Sequence, residues 1–184
     1  MIEAMLPAID DPFHESPILD LLTTPTVSFL GDLLAHWQAW SKAGGMPHRD
    51  RFDPVDFPRL LPDLSLIGID RHANAYRDYD VLFRSIGTRL GQHFSMTGFT
   101  RRHLSDLGAP FAPRWFTVYD RLRHTAQPLT VSGVPYLMNK TYLRFEILLL
   151  PLTAGPDERG TAHVDFALYA AHFEPNLAVR HHPS

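Results

Sequence analysis

The chain has 184 residues, 45% of them apolar and 20% charged, a net charge of −3 and no cysteine. This length and balance fit one globular domain with an adequate core and exclude a disordered chain. The small negative charge provides no long-range field for nucleic acid or an acidic membrane, and the missing cysteines exclude disulfides, thiolate metal sites, Cys nucleophiles and c-type haem attachment.

Residues 1–22 mix Pro7, Pro12 and Pro17 with acidic residues and read as an irregular leader. Glu3, Asp10 and Asp11 stand where a signal peptide would be basic. The longest aliphatic run, residues 147–150, is far too short to cross a bilayer. The expected address is cytoplasmic.

Thr24-Pro25 opens a helix that Gly44-Gly45 closes. Its apolar residues Val27, Phe29, Leu30, Leu33, Leu34, Trp37 and Trp40 span an arc of roughly 160°, where one partner needs only about 100°. The Phe29, Leu33 and Trp40 side is expected to cover a sheet. Val27, Leu30 and Leu34, with Trp37 on the boundary, would then form a homodimer contact, or be covered by the leader through Leu19, Leu21 and Leu22. Asp53-Pro54-Val55-Asp56 starts a short helix, limited by Pro58 and Pro62. Together, residues 23–62 form a helical cap.

Strands are predicted over 64–71 and 79–86, joined as a hairpin. Thr88 caps a short helix ending near Ser95, Thr100 begins another turn or two, and the helix after Pro110 and Pro113 carries Trp115, Phe116, Tyr119, Leu122 and Ala126 at helical spacing up to Pro128. Three strands follow at 129–138, 142–152 and 161–173, linked by Asn139-Lys140 and by 153–160, before a loose tail at 174–184. The last strand is apolar on both alternating sets, which places it centrally with both faces covered.

Two strands, a cluster of helices ending in a longer one, then three antiparallel strands is an order that resembles a PAS domain over about residues 63–173. Trp37 and Trp40, Pro47 and Arg49, Phe52-Asp53-Pro54, Leu60-Leu61-Pro62, Phe83-Arg84 with Gly87-Thr88, Thr97-Gly98, and Glu146 with the run 148–152 resemble, in that order, a bacterial family of stand-alone PAS-like proteins. The resemblance implies an α+β fold with a five-stranded antiparallel sheet of order 2-1-5-4-3, helices on one face, a sensory or signalling role and frequent dimerisation. It does not imply a ligand. The surplus arc of the first helix is the natural cover for the other face. With no kinase, cyclase or helix-turn-helix segment in the chain, a signal is expected to leave through a partner protein or a change of dimer.

The chain's eleven histidines contain no His-x-x-x-His pair, and scattered surface histidines are the simpler reading, so no metal site is assigned. His93 and His103 fall in the region where some PAS domains ligate haem, but polar residues on short exposed helices are the simpler and preferred reading. Flavin photochemistry of this fold needs a cysteine that is absent. Neither haem nor flavin is supported, and the cofactor stays unknown.

Arg84, Arg144, Glu146, His163 and Asp165 are titratable residues inside predicted strands, and they need partners or solvent there. If the residue numbers of the last hairpin's pairs sum to an odd value, Arg144 and Glu146 share a face with His163 and Asp165. That patch would orient a ligand or partner, or form an ion-pair ladder. The candidate ligand set is Phe83, Arg84, Trp115, Tyr119, Arg144 and Glu146, with no catalytic residue assigned. The competing reading is a small acid/base enzyme or ligand carrier with a cone-shaped pocket, using His163 or Asp165 as base. Neither a Gly-x-Ser-x-Gly nor a P-loop supports it.

Overall fold

A computed structural model describes residues 20–22, 24–41, 45–135, 140 and 142–177. The leader before Asp20, residues 136–138 of the strand predicted to 138 and the tail beyond 177, with His181 and His182, lie outside the described residues, while that strand already stops at Gly133, short of the described Val134 and Pro135. No described helix is long and apolar enough to cross a membrane.

In chain order the elements are β1 (Asp20–Leu22), α1 (Ser28–Trp40), β2 (Leu64–Asp70), β3 (Asp80–Ile86), α2 (Thr88–His93), α3 (Phe111–Thr125), β4 (Leu129–Gly133), β5 (Leu143–Leu152) and β6 (Phe166–Pro175). All strand pairs are antiparallel, in the order β1-β4-β5-β6-β2-β3. The five strands expected from the sequence take the expected order 2-1-5-4-3, with β6 central. A sixth is added, because Asp20–Leu22 pairs with β4 instead of continuing the irregular leader. Beyond β3, Phe83 N donates to Arg102 O at 3.0 Å and Arg101 N to Phe83 O at 2.6 Å.

Both faces of the sheet are covered. Ile67, Val81, Phe83, Val131, Phe145, Ile147, Leu149 and Tyr169 form one core with α2 and α3. Leu64, Leu66, Leu148, Leu150, Leu152 and Leu168 form a second core with α1. Strands apolar on alternate sets produce this three-layer arrangement, since each set needs its own cover.

α1 begins at Ser28, later than Thr24-Pro25 predicts, because Val27 is still extended and its backbone N–H is taken by Glu146. Leu30, Leu33 and Trp37 of α1 are buried against the sheet, and burying each such side chain stabilises by roughly 1.5–3 kcal/mol. Trp37 Nε1 donates to Pro151 O at 2.8 Å, tying the middle of the helix to the end of β5.

The segment after Asp53 is only a 3-10 turn, Pro54–Asp56, with the Asp53 side chain accepting from Val55 N. A second 3-10 turn, Leu61–Asp63, leads into β2. Gly87 packs against this entry: a Cβ there would lie 2.4 Å from Pro62 O and 2.6 Å from Leu64 O. β6 starts five residues later than predicted. Asp157 gathers the preceding loop, its Oδ1 accepting from Arg159 N and Thr161 N, so 161–165 is irregular, with an isolated bridge from Ala162 to Pro156, and not part of β6.

Candidate functional site

The candidate ligand residues divide between the two cores. Phe83, Trp115 and Tyr119 lie on the α3 side and are buried. Trp115 meets Tyr169 at 6.0 Å, Tyr119 at 6.3 Å, Phe94 at 6.4 Å and Phe145 at 6.5 Å between ring centroids, while Phe83 meets Phe99 edge-on at 5.4 Å. Such offset and edge-on contacts are those of a packed aromatic core. Burial pushes the Tyr119 and Tyr169 hydroxyls well above the ordinary tyrosine range.

Arg84, Arg144 and Glu146 lie on the opposite, α1 side. The Arg84 guanidinium sits 5.1 Å from the Phe166 ring centroid, where cation–π attraction holds it. It gets there by crossing Gly68, where a Cβ would come within 2.6 Å of Arg84 Nε. Glu146 is buried and its carboxylate accepts from Thr26 N at 2.7 Å, from the Thr26 hydroxyl and from Val27 N at 3.2 Å. Arg144 is exposed, paired across the hairpin with Glu174.

No single pocket therefore unites the six residues. The hairpin pairs Glu146 with His172 and Arg144 with Glu174, an even register. The charged pair thus shares its face with His172 and Glu174, and His163 and Asp165 fall outside β6 altogether. His163 Nε2 bonds Asp157 Oδ2 at 2.9 Å, and that contact is the first of the causes holding the Asp157 carboxyl below its usual range. Asp165 Oδ2 accepts from Ala154 N at 2.8 Å.

Of the expected dimer contacts, Leu30 and Trp37 turn inward, at 0% and 5% exposure, whereas Val27 and Leu34 are half-buried at the flank of α1. The helix is rotated relative to the predicted split, because Glu146 grips its start and Pro151 O holds Trp37.

Two described grooves are large enough for a small molecule. One, of about 390 Å³, is lined by Arg71, Asp78, Tyr79, Arg123, His163 and Asp165 among others. In it the Arg123 guanidinium lies 3.8 Å from the Tyr79 ring centroid, and the Tyr79 hydroxyl donates to Asp120 Oδ1 at 2.8 Å. Burial, and then Asp120, push the Tyr79 hydroxyl up. The other groove, of about 380 Å³, has Arg59, Asp63, Arg89, His93, His172 and Phe173 on its walls. Arg89 is held by a bidentate bond to Asp63, 2.6 Å on each branch. His93 stacks on Phe173 at 4.2 Å, and burial, followed by the Lys140 charge, lowers its pKa.

A third grouping was not legible in the sequence. Asp70, at the end of β2, His72, two residues on, and His103 each bring one ligand atom within 4.8 Å of the others. His103 Nε2 lies 2.9 Å from Asp70 Oδ2. The only local signal is the Asp70-x-His72 spacing, and His103 arrives from the far side of β3.

A mixed sheet-and-helix fold with two cores and a central last strand defines a PAS-type module. The chain belongs to the PAS domain family, whose model matches residues 26–162. The match takes in α1, so this helix is part of the family pattern, upstream of the 63–173 region in which the strand order resembles it. No curated protein and no solved structure matches the chain.

Proposed function

We propose that this PAS-domain protein is a sensory or signalling module that meets its ligand or partner on its surface, without a catalytic role. The observation carrying this reading is the cluster of mutually contacting aromatic rings between α3 and the sheet. Phe94, Trp115, Phe116, Tyr119, Phe145 and Tyr169 are all buried there, and the two grooves of ligand size open to the outside. A small molecule would enter a groove carrying arginines and histidines, which suits an anionic or zwitterionic compound. The protein partner in this reading includes a second copy, docking along the Val27 and Leu34 flank of α1.

Native mass spectrometry of freshly purified protein, with an absorption spectrum, tests the proposal. Masses equal to the bare chain or its multiples are expected. An added mass or chromophore that leaves only on denaturation would place a ligand in the interior and overturn it.

A further inference from the structure

We propose that Asp70, His72 and His103 form a binding site for one divalent transition-metal ion of the zinc type. Two imidazoles and one carboxylate are the donor set that such ions take, with further positions left for water or an outside ligand.

The distances are close to those required. Bonds of about 2.0–2.1 Å in a tetrahedral site put ligand atoms roughly 3.3 Å apart. Asp70 and His103 already stand at 2.9 Å, and all three donor atoms lie within 4.8 Å of one another. Closing the set therefore asks mainly for a rotation of the exposed His72, whose ring centroid already lies 5.7 Å from that of His103.

The backbone fixes the other two donors. Asp70 ends β2 opposite Asp80 of β3. Asp80 in turn accepts from Ser105 N and the Ser105 hydroxyl, which draws the 3-10 turn Leu104–Leu107 and its capping residue His103 against the strand. Leu82 and His103 form a bridge at the same place. Asp70 and Asp80 also face each other as like charges, a repulsion that a cation relieves.

The hydrogen bonding defines what the ion must displace. His103 Nε2 faces Asp70 Oδ2 at 2.9 Å, and a metal bound to both atoms replaces that hydrogen bond. The backbone around His103 stays fixed, since Asp106 N donates to His103 O at 3.2 Å and Asp106 Oδ2 accepts from His103 N at 3.0 Å. The bound ion would cross-link the end of β2, the β2–β3 loop and the 101–107 segment. The site does not depend on where the module meets its partner.

The test is calorimetric titration of the EDTA-stripped full chain with zinc chloride alone. His72→Ala, Asp70→Asn and the tail double variant His181→Ala/His182→Ala are run in parallel, each first shown by thermal melting in EDTA to be folded. One zinc per chain is expected. Affinity should fall at least about tenfold in each of the first two variants and stay unchanged in the tail variant. No binding by the wild type, binding lost only with the tail histidines, or affinity retained in either His72→Ala or Asp70→Asn overturns the site.

Discussion

Glu146 of β5 holds Thr26 at the entrance to α1, accepting both its backbone N–H and its hydroxyl. The contact spans 120 residues of sequence and puts a carboxylate at the positive end of the helix. It joins the second core to the helix that packs on it.

Glu146→Gln keeps the size and removes the charge, and hydrogen bonds to a charged group contribute about 1.5–3 kcal/mol. A loss of about 2 kcal/mol in urea melting is expected, with Thr26→Ala costing less, about 1 kcal/mol. An unchanged midpoint for Glu146→Gln would show that water satisfies the α1 entrance equally well.

Gly87→Ala should be among the most damaging single changes. The new methyl would overlap two backbone carbonyls, Pro62 O and Leu64 O, neither of which can swing away as a side-chain tip can. Overpacking typically costs about 1–3 kcal/mol and occasionally more, and the upper end applies here. Recovery of soluble, cooperatively melting protein with wild-type stability would contradict the close packing of Gly87 on the entry to β2.

Tyr119→Ala removes a fully buried ring from the aromatic cluster and should cost on the order of 3 kcal/mol in denaturant melting. A shift well below one kcal/mol would mean that α3 presents a different face to the sheet.

Tyr79, Tyr119 and Tyr169 keep their protons in the folded protein beyond the pH at which exposed tyrosines ionise. Above about pH 10 the unfolded chain loses protons that the folded chain retains, so stability falls as pH rises through that value. Absorbance at alkaline pH should show these hydroxyls ionising together with loss of structure. Their ionisation in a chain that remains folded would argue against deep burial.

Leu30→Glu and Leu34→Glu should now behave differently, although both lie on the predicted dimer stripe. Leu30 is fully buried, so a charge there is expected to unfold the protein. Leu34 is half-buried, and its variant should fold. Light scattering then reads the α1 contact: a dimeric wild type and a folded, monomeric Leu34→Glu support it, whereas a monomeric wild type removes it.

The contrast between Leu30 and Leu34 also marks the limit of what was legible in the sequence. The order of elements, the central place of the last strand and the cover on both faces follow from apolar periodicity, which is a local property. The rotation of α1 is not local. An apolar arc of roughly 160° fits a sheet in several orientations, and the choice rests on Glu146 and Pro151, each more than a hundred residues away. Register has the same character. Glu146 and His163 each look available as half of a polar patch, yet the β5–β6 pairing sets His172 beside Glu146 and leaves His163 in the loop before β6. His72 and His103 stand apart in sequence and meet only because β3 and the following segment are folded together.

The pairing of Asp20–Leu22 with β4, and the hydrogen bonds that Phe83 of β3 exchanges with Arg101 N and Arg102 O, have a bearing on solubility. Long unpaired strand margins are templates on which further chains assemble into ribbons and fibrils, and here one margin ends in a three-residue strip while the other is partly occupied by a loop. Native molecules therefore offer little foothold for strand-by-strand polymerisation. Losing the 20–22 strip, by proteolysis for instance, would bare the edge of β4 and leave an open strand margin as a seed for aggregation.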